Sequence, residues 1–232
     1  MTGNLISGLH SIKKEVSVES VARYFGGKGY KLDDRTRDRI TDCVDASCRL
    51  IAPQAAYTLF PVAEVIPGSG LVLGSGEMLQ LPECFTDTGS RFVAAVVGTL
   101  GPELEKHCRD LANNGAVYNS TLFDAVGTAM LDILSEKACQ FLGNESGQGK
   151  LYCGQRFAPG IDGFPLEKQF QLFEMADNES VGVSLNSSAI MVPAKSISFF
   201  LLLSKTVPKS AAVHKCSLCQ MYDCQFRMNH IV

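Results

Sequence analysis

The sequence predicts an α+β protein, a mainly antiparallel twisted sheet with helices packed against it. Three observations carry this expectation. Helical patterns come first along the chain, followed by a mixture of strands and helices without the regular alternation of a doubly wound parallel sheet. Two apolar runs, residues 92–99 and 197–203, have the length of buried strands. One long stretch, residues 119–142, repeats apolar side chains at helical spacing. With 232 residues and 46% hydrophobic content, the chain can enclose a core.

Taken in order, Val18, Val21, Ala22 and Phe25 have helical spacing, and Gly26-Gly27 ends that helix. A second helix is expected from Asp33 to Ala52, with Ile40, Cys43, Val44 and Ile51 along one face and Pro53 as its stop. Residues 55–65 read as extended, with Pro61 marking an edge or a bend. Gly68-Ser69-Gly70 and Gly74-Ser75-Gly76 bracket a short strand at Leu71-Val72-Leu73. They are not a dinucleotide fingerprint, because no Gly-x-Gly-x-x-Gly opens a helix here.

After the strand at 92–99, Pro102 stands where a helix begins, Leu104, Cys108 and Leu111 continue it, and Asn113-Asn114-Gly115 closes it. In the long helix Leu122, Val126, Ala129, Ile133 and Phe141 form the stripe, and Gly143 fits just after its end. Residues 150–157 read as a strand, residues 157–165 as a loop, and Pro165 as a helix start with Leu166, Phe170 and Phe173 on one side. Val181, Val183 and Leu185 alternate as a strand. Two units are expected: a folded domain over residues 1–204 and a Cys-rich tail over 205–232.

A net charge of −3, with no Arg/Lys block, argues against a nucleic-acid surface. No apolar run approaches the ~20 residues that span a bilayer. Residues 1–15 lack the apolar centre of an export leader, so a cytoplasmic location is expected. In that setting Cys43, Cys48, Cys84, Cys108 and Cys139 read as small apolar side chains. His10, His107, His214 and His230 form no triad-like constellation, and no catalytic side chain is assigned.

The segment Arg156-Phe157-Ala158-Pro159-Gly160-Ile161 carries the most chemistry. A strand delivers an arginine into a Pro-Gly loop that leads toward a helix. A guanidinium is a rigid fork that matches a carboxylate bidentately. Gly160 lets a ligand approach the backbone, and a helix N-terminus would add partial positive charge. The same features also suit a structural loop whose arginine pairs with a surface acid.

A second constellation is Cys216-x2-Cys219-x4-Cys224 in the tail. Such spacing suits zinc, which would staple a short tail, or an iron–sulfur cluster, which would relay electrons. Free thiols are the remaining reading. Cys153 is the first choice of fourth ligand, with His214 and His230 as rivals.

Arg156-x-x-Pro159-Gly160, then Val181-Gly182-Val183-Ser184-Leu185-Asn186-Ser187-Ser188, Met191-x-Pro193 and Ser196-Ile197-Ser198, resembles the activation (reactivation) domain of cobalamin-dependent methionine synthase. Upstream, Thr99-Leu100-Gly101-Pro102-Glu103-Leu104-Glu105 resembles its strand-to-helix junction, and Leu122-Phe123-Asp124-Ala125-Val126-Gly127 its long-helix motif. The likeness runs in order over residues 16–203, and a free-standing, shortened form with a Cys-rich tail is the nearest variant.

The resemblance implies that Arg156 takes the carboxylate of S-adenosylmethionine, with Pro159, Gly160 and Ile161 around it. It implies a factor that supports reductive methylation of cob(II)alamin on a separate corrinoid-dependent methyltransferase. The partner then supplies the cobalamin, and an electron donor is needed. The family carries Tyr after Pro-Gly, where this chain has Ile161, and Thr-Glu-Ser where it has Asn186-Ser187-Ser188. The alternative is therefore a metal or iron–sulfur redox module on the same fold that no longer binds S-adenosylmethionine.

Overall fold

A computed structural model describes residues 4–82, 85, 89–145, 150–161, 163–207 and 223–226. Its elements are β1 (Asn4–Leu5), α1 (Ile12–Glu15), α2 (Val18–Gly26), α3 (Asp34–Leu50), β2 (Gln54–Ile66), β3 (Gly70–Leu73), β4 (Met78–Gln80) and β5 (Ser90–Thr99). They continue with α4 (Glu103–Asn113), α5 (Val117–Glu145), β6 (Tyr152–Phe157), α6 (Lys168–Met175), β7 (Ser184–Leu185), β8 (Met191–Val192) and β9 (Ser196–Ser204).

Local chemistry sets several boundaries. Ser17 caps α2 by accepting from the Ser20 amide, and Asp33 caps α3 by accepting from the Thr36 amide at 2.7 Å. Pro53 follows α3 closely because it cannot continue a helical ladder.

The expected antiparallel sheet is present, in the order β4-β3-β2-β5-β9-β6, with β1 also paired to β2. The break at Pro61 is a change of partner. Residues of β2 up to Pro61 pair with β5, whereas those from Val62 pair with β3, with a register shift between Val62 and Glu64.

Side chains alternate across β9 and divide the core. Phe199, Leu201 and Leu203 pack under the helices with Leu122, Val126, Met130 and Leu134 of α5. Phe200 and Leu202 face the opposite layer with Phe157, Phe164, Leu172 and Val183. Because both faces of the central strands are covered, β5 and β9 read as continuous apolar runs rather than alternating ones.

Three expectations are corrected. Residues 181–185 do not form one strand: Glu179–Val181 is a single 3-10 turn, Gly182 follows in the left-handed region at φ 65°, and only Ser184–Leu185 pairs, with β8. Val181 and Val183 are nonetheless both buried, since the turn presses them onto the second layer.

Gly143 does not end the long helix, which runs on to Glu145. A Cβ there would lie 3.2 Å from the Leu151 carbonyl and 3.6 Å from Cys153 Sγ, so this glycine lets β6 approach α5. Finally, α6 opens at Lys168 rather than Pro165. The intervening residues form turns in which Lys168 N–H donates to the Pro165 carbonyl and Gln169 N–H to that of Leu166.

Candidate functional site

Arg156 sits on β6 opposite Leu201 of β9. Directly opposed residues of an antiparallel pair share a face, and Leu201 belongs to the helix-side core. The guanidinium therefore turns toward α5. Its Nη1 donates to Ser135 Oγ at 2.5 Å, and its Cζ lies 5.0 Å from the centre of the Phe199 ring. Among the described residues it forms no ion pair with a carboxylate. It is half-buried, and Ser135 beneath it is buried.

Cys153 belongs to this cluster as well. It opposes Leu203, so three residues of β6 span two of β9 between Cys153 and Arg156. That one extra residue, at Gly154-Gln155, returns Arg156 to the face Cys153 occupies, which three residues of regular strand could not do. The Cys153 thiol donates to the Cys139 backbone carbonyl of α5 at 2.9 Å.

The Cys153 thiol, followed by the Arg156 guanidinium, holds the Cys139 thiol below the usual thiol range, while burial pulls the other way. The Cys153 thiol is pushed up by the same contact and by its own burial. Cys139, expected as a plain apolar filler, thus stands half-buried beside a cation. Ser135 and Cys139 lie four residues apart on α5, so both face β6.

The loop after β6 begins with buried Pro159 and exposed Gly160 and Ile161. Gly160 has φ 84°, and its amide donates to the Phe164 carbonyl at 2.7 Å; the Ile161 amide donates to that of Ala158 at 3.1 Å. The Gly160 amide is therefore committed within the loop. What Gly160 offers a ligand is a backbone without a Cβ. With α6 starting at Lys168, the expected helix N-terminus does not follow the Pro-Gly turn directly.

Asn186, which stands where the family carries Thr, closes a hairpin turn. Its Oδ1 accepts from the amides of Ser188 (2.9 Å) and Ile190 (3.0 Å).

Three motifs of the family likeness meet elsewhere, at Lys195 just before β9. Its ammonium donates to Asp124 Oδ1 (2.8 Å), the Asp124 carbonyl (3.1 Å) and Thr128 Oγ1 (3.0 Å). Its carbonyl accepts from the Leu100 amide, and Ser196 Oγ donates to Thr99 Oγ1 at 2.9 Å. Gly127 leaves room for the Lys195 methylenes: a Cβ would meet Leu104 Cδ2 at 2.8 Å and Lys195 carbons at 3.2 Å. The Lys195 node, and the roles of Ser135 and Cys139, were missed in the sequence because each partner lies far away along the chain.

Of the tail cysteines, Cys216 and Cys219 lie outside the described residues. Cys224 precedes Gln225 and Phe226, which pack on the end of α2. The Lys28 amide donates to the Gln225 carbonyl at 2.6 Å, and the Phe226 ring lies 5.4 Å from that of Tyr24. Among the described residues no three His, Cys, Asp or Glu side chains gather to hold a metal ion. Also among those residues, no helix is long and apolar enough to cross a membrane. A cavity of about 240 Å³ lies between β2 and the start of β5, lined by Val62, Glu64, Val65 and Arg91, and involves no residue of the Arg156 loop.

No protein-family profile and no curated protein matches the sequence. Among solved structures the chain is similar to the MetH reactivation domain bound to AdoHcy, with a TM-score of 0.64 and 13% identity. The match covers 94% of this chain and 83% of that one. The chain therefore has the fold of that reactivation domain: helices packed against an antiparallel sheet.

Proposed function

We propose that the chain binds S-adenosylmethionine through Arg156 and serves as a reactivation factor for a separate corrinoid-dependent methyltransferase. One observation carries the reading. Arg156 is a half-buried cation held by the Ser135 hydroxyl, the Cys139 side chain and an aromatic face, with no carboxylate ion pair among the described residues. A guanidinium so placed is preorganised for a carboxylate, and its remaining N–H donors match one bidentately. In the loop that follows β6, Gly160 carries no Cβ and exposed Ile161 adds an apolar surface. The fold shared with a domain that binds AdoHcy supports the same ligand class.

The residues present fit an amino-acid carboxylate. Ser135 and Phe199 fix the guanidinium plane, so little ordering remains to be done when the ligand arrives. The ligand would supply a sulfonium methyl group, and the partner the cobalt that accepts it. This chain's share is to orient the ligand and keep water away, and no side-chain base is required.

The test combines a cobalamin-binding methyltransferase in its cob(II)alamin form, a low-potential reductant, S-adenosylmethionine and this protein. Methylcobalamin absorbance should grow in with wild type and fail to grow in with Arg156→Ala. Equal yields with both proteins would reject the assignment.

A further inference from the structure

We propose that Asp132 takes the α-ammonium of the bound ligand, so that Arg156 and one turn of α5 together recognise an amino-acid zwitterion. The assignment rests on Arg156 holding the carboxylate of S-adenosylmethionine, and it accounts for the positive charge on the same carbon.

Two hydrogen bonds join the groups. Arg156 Nη1 donates to Ser135 Oγ at 2.5 Å, and Ser135 Oγ donates in turn to the Asp132 carbonyl at 2.9 Å. The single hydroxyl hydrogen of Ser135 is thus committed to Asp132, which leaves its lone pairs for the guanidinium. Asp132 and Ser135 stand three residues apart on α5, so they are neighbours on the helix surface, with roughly 5–6 Å between their Cβ atoms.

The Asp132 carboxylate is held from one side. Its Oδ2 accepts from the Tyr24 hydroxyl and from Arg23 Nη2, the latter at 3.2 Å. Among the described residues its Oδ1 takes no hydrogen bond and no ion pair, and the side chain is 50% exposed. Two donors from α2 therefore fix a carboxylate whose other oxygen stays open. Tyr24 is packed in turn, with the Arg23 guanidinium 4.6 Å from its ring centre and the Phe226 ring at 5.4 Å.

This order of charges selects the ligand class. An α-amino acid carries its carboxylate and its ammonium on one carbon, and so bridges a guanidinium and a carboxylate anchored one helical turn apart. A 2-oxo acid would satisfy Arg156 and leave Asp132 Oδ1 without a donor. Glu136, the other acid beside Ser135, is exposed and forms no ion pair among the described residues, so nothing there orients it.

The experiment titrates two ligands calorimetrically into reduced wild type, Asp132→Asn, Glu136→Gln and Arg156→Ala. One ligand is S-adenosylmethionine; the other is its 2-oxo analogue, in which a keto oxygen replaces the ammonium. Asparagine keeps the shape of Asp132 and an acceptor for Tyr24 while removing the charge. Asp132→Asn should lose about tenfold in affinity for S-adenosylmethionine, the low end for a hydrogen bond to a charged group because the site is half-exposed. Its affinity for the analogue should not change. Arg156→Ala should weaken both ligands, and Glu136→Gln neither. Wild type should itself prefer S-adenosylmethionine over the analogue, a comparison that needs no variant to fold.

A purely structural role for Asp132 would weaken both ligands alike. That result, no loss in Asp132→Asn, equal binding of the two ligands by wild type, or a selective loss in Glu136→Gln would each overturn the proposal while leaving the Arg156 reading in place. Wild type that binds neither ligand would overturn both.

Discussion

Lys195 and Arg156 are both half-buried cations tying a strand to the long helix α5, and the protein surrounds them in opposite ways. Lys195 meets a carboxylate, a carbonyl and a hydroxyl, all from one stretch of α5, so its three donors are satisfied at 2.8 to 3.1 Å. Arg156 meets a serine hydroxyl, the Cys139 thiol and one ring, and no carboxylate in an ion pair among the described residues. A saturated cation locks two elements together. One that keeps free donors can take an anion. Residues of three family-like motifs converge on Lys195, so the place where motifs meet and the location of a binding site are separate matters here.

Mutation can break this contrast. The largest expected effect concerns ligand-linked stability. S-adenosylmethionine at a hundred times its dissociation constant should stabilise the wild type by about 2.7 kcal/mol. In Arg156→Met that stabilisation should vanish, while the ligand-free melting point stays near that of wild type. Equal ligand-induced shifts in both proteins, followed by differential scanning fluorimetry, would remove Arg156 from the site.

Next in size is Lys195→Met. It strips Thr128 and Asp124 of their donor and should cost roughly 1–2 kcal/mol of unfolding free energy in urea titrations, with half-exposed Asp124 limiting the loss. Ligand affinity of the folded protein should not change.

Gly160→Ala forces a side chain into φ 84° with its Cβ 3.3 Å from Leu166 Cδ1, at an expected cost of about 1 kcal/mol. That strain and the added Cβ should weaken ligand binding more than they lower the melting point.

The smallest effect belongs to Ser135→Ala. It leaves the guanidinium over Phe199 without its hydroxyl anchor, for roughly 0.5–1 kcal/mol of stability. If the account holds, its affinity loss is well below that of Arg156→Met, because the carboxylate-binding fork remains.

The regular elements were legible because their signals are local. The stops at Gly26-Gly27 and Pro53 and the apolar runs of β5 and β9 all lie within or next to the elements they define. What escaped depends on tertiary contact. Alternation at Val181, Val183 and Leu185 reads as a strand, yet two of these side chains are buried from a turn, which serves the core equally well. Gly143 reads as a cap, but a close approach of Leu151 and Cys153 explains it better.

Arg156 and its loop were visible as a site, whereas the face Arg156 occupies was not. That face is set by a bulge that no spacing rule reveals, and the bulge turns Cys153 toward Cys139 on α5. Asn186-Ser187-Ser188 in place of Thr-Glu-Ser suggested a weakened pocket, but the Asn186 side chain is occupied in closing the β7–β8 turn.

The most direct measurement is calorimetric titration of S-adenosylmethionine into reduced wild type, Arg156→Ala and Lys195→Met. The account predicts binding by wild type, similar binding by Lys195→Met, and a loss of about thirtyfold or more in Arg156→Ala, the range for truncating one partner of a charged, hydrogen-bonded pair. Absence of binding by folded wild type, or equal affinity in Arg156→Ala, would contradict it.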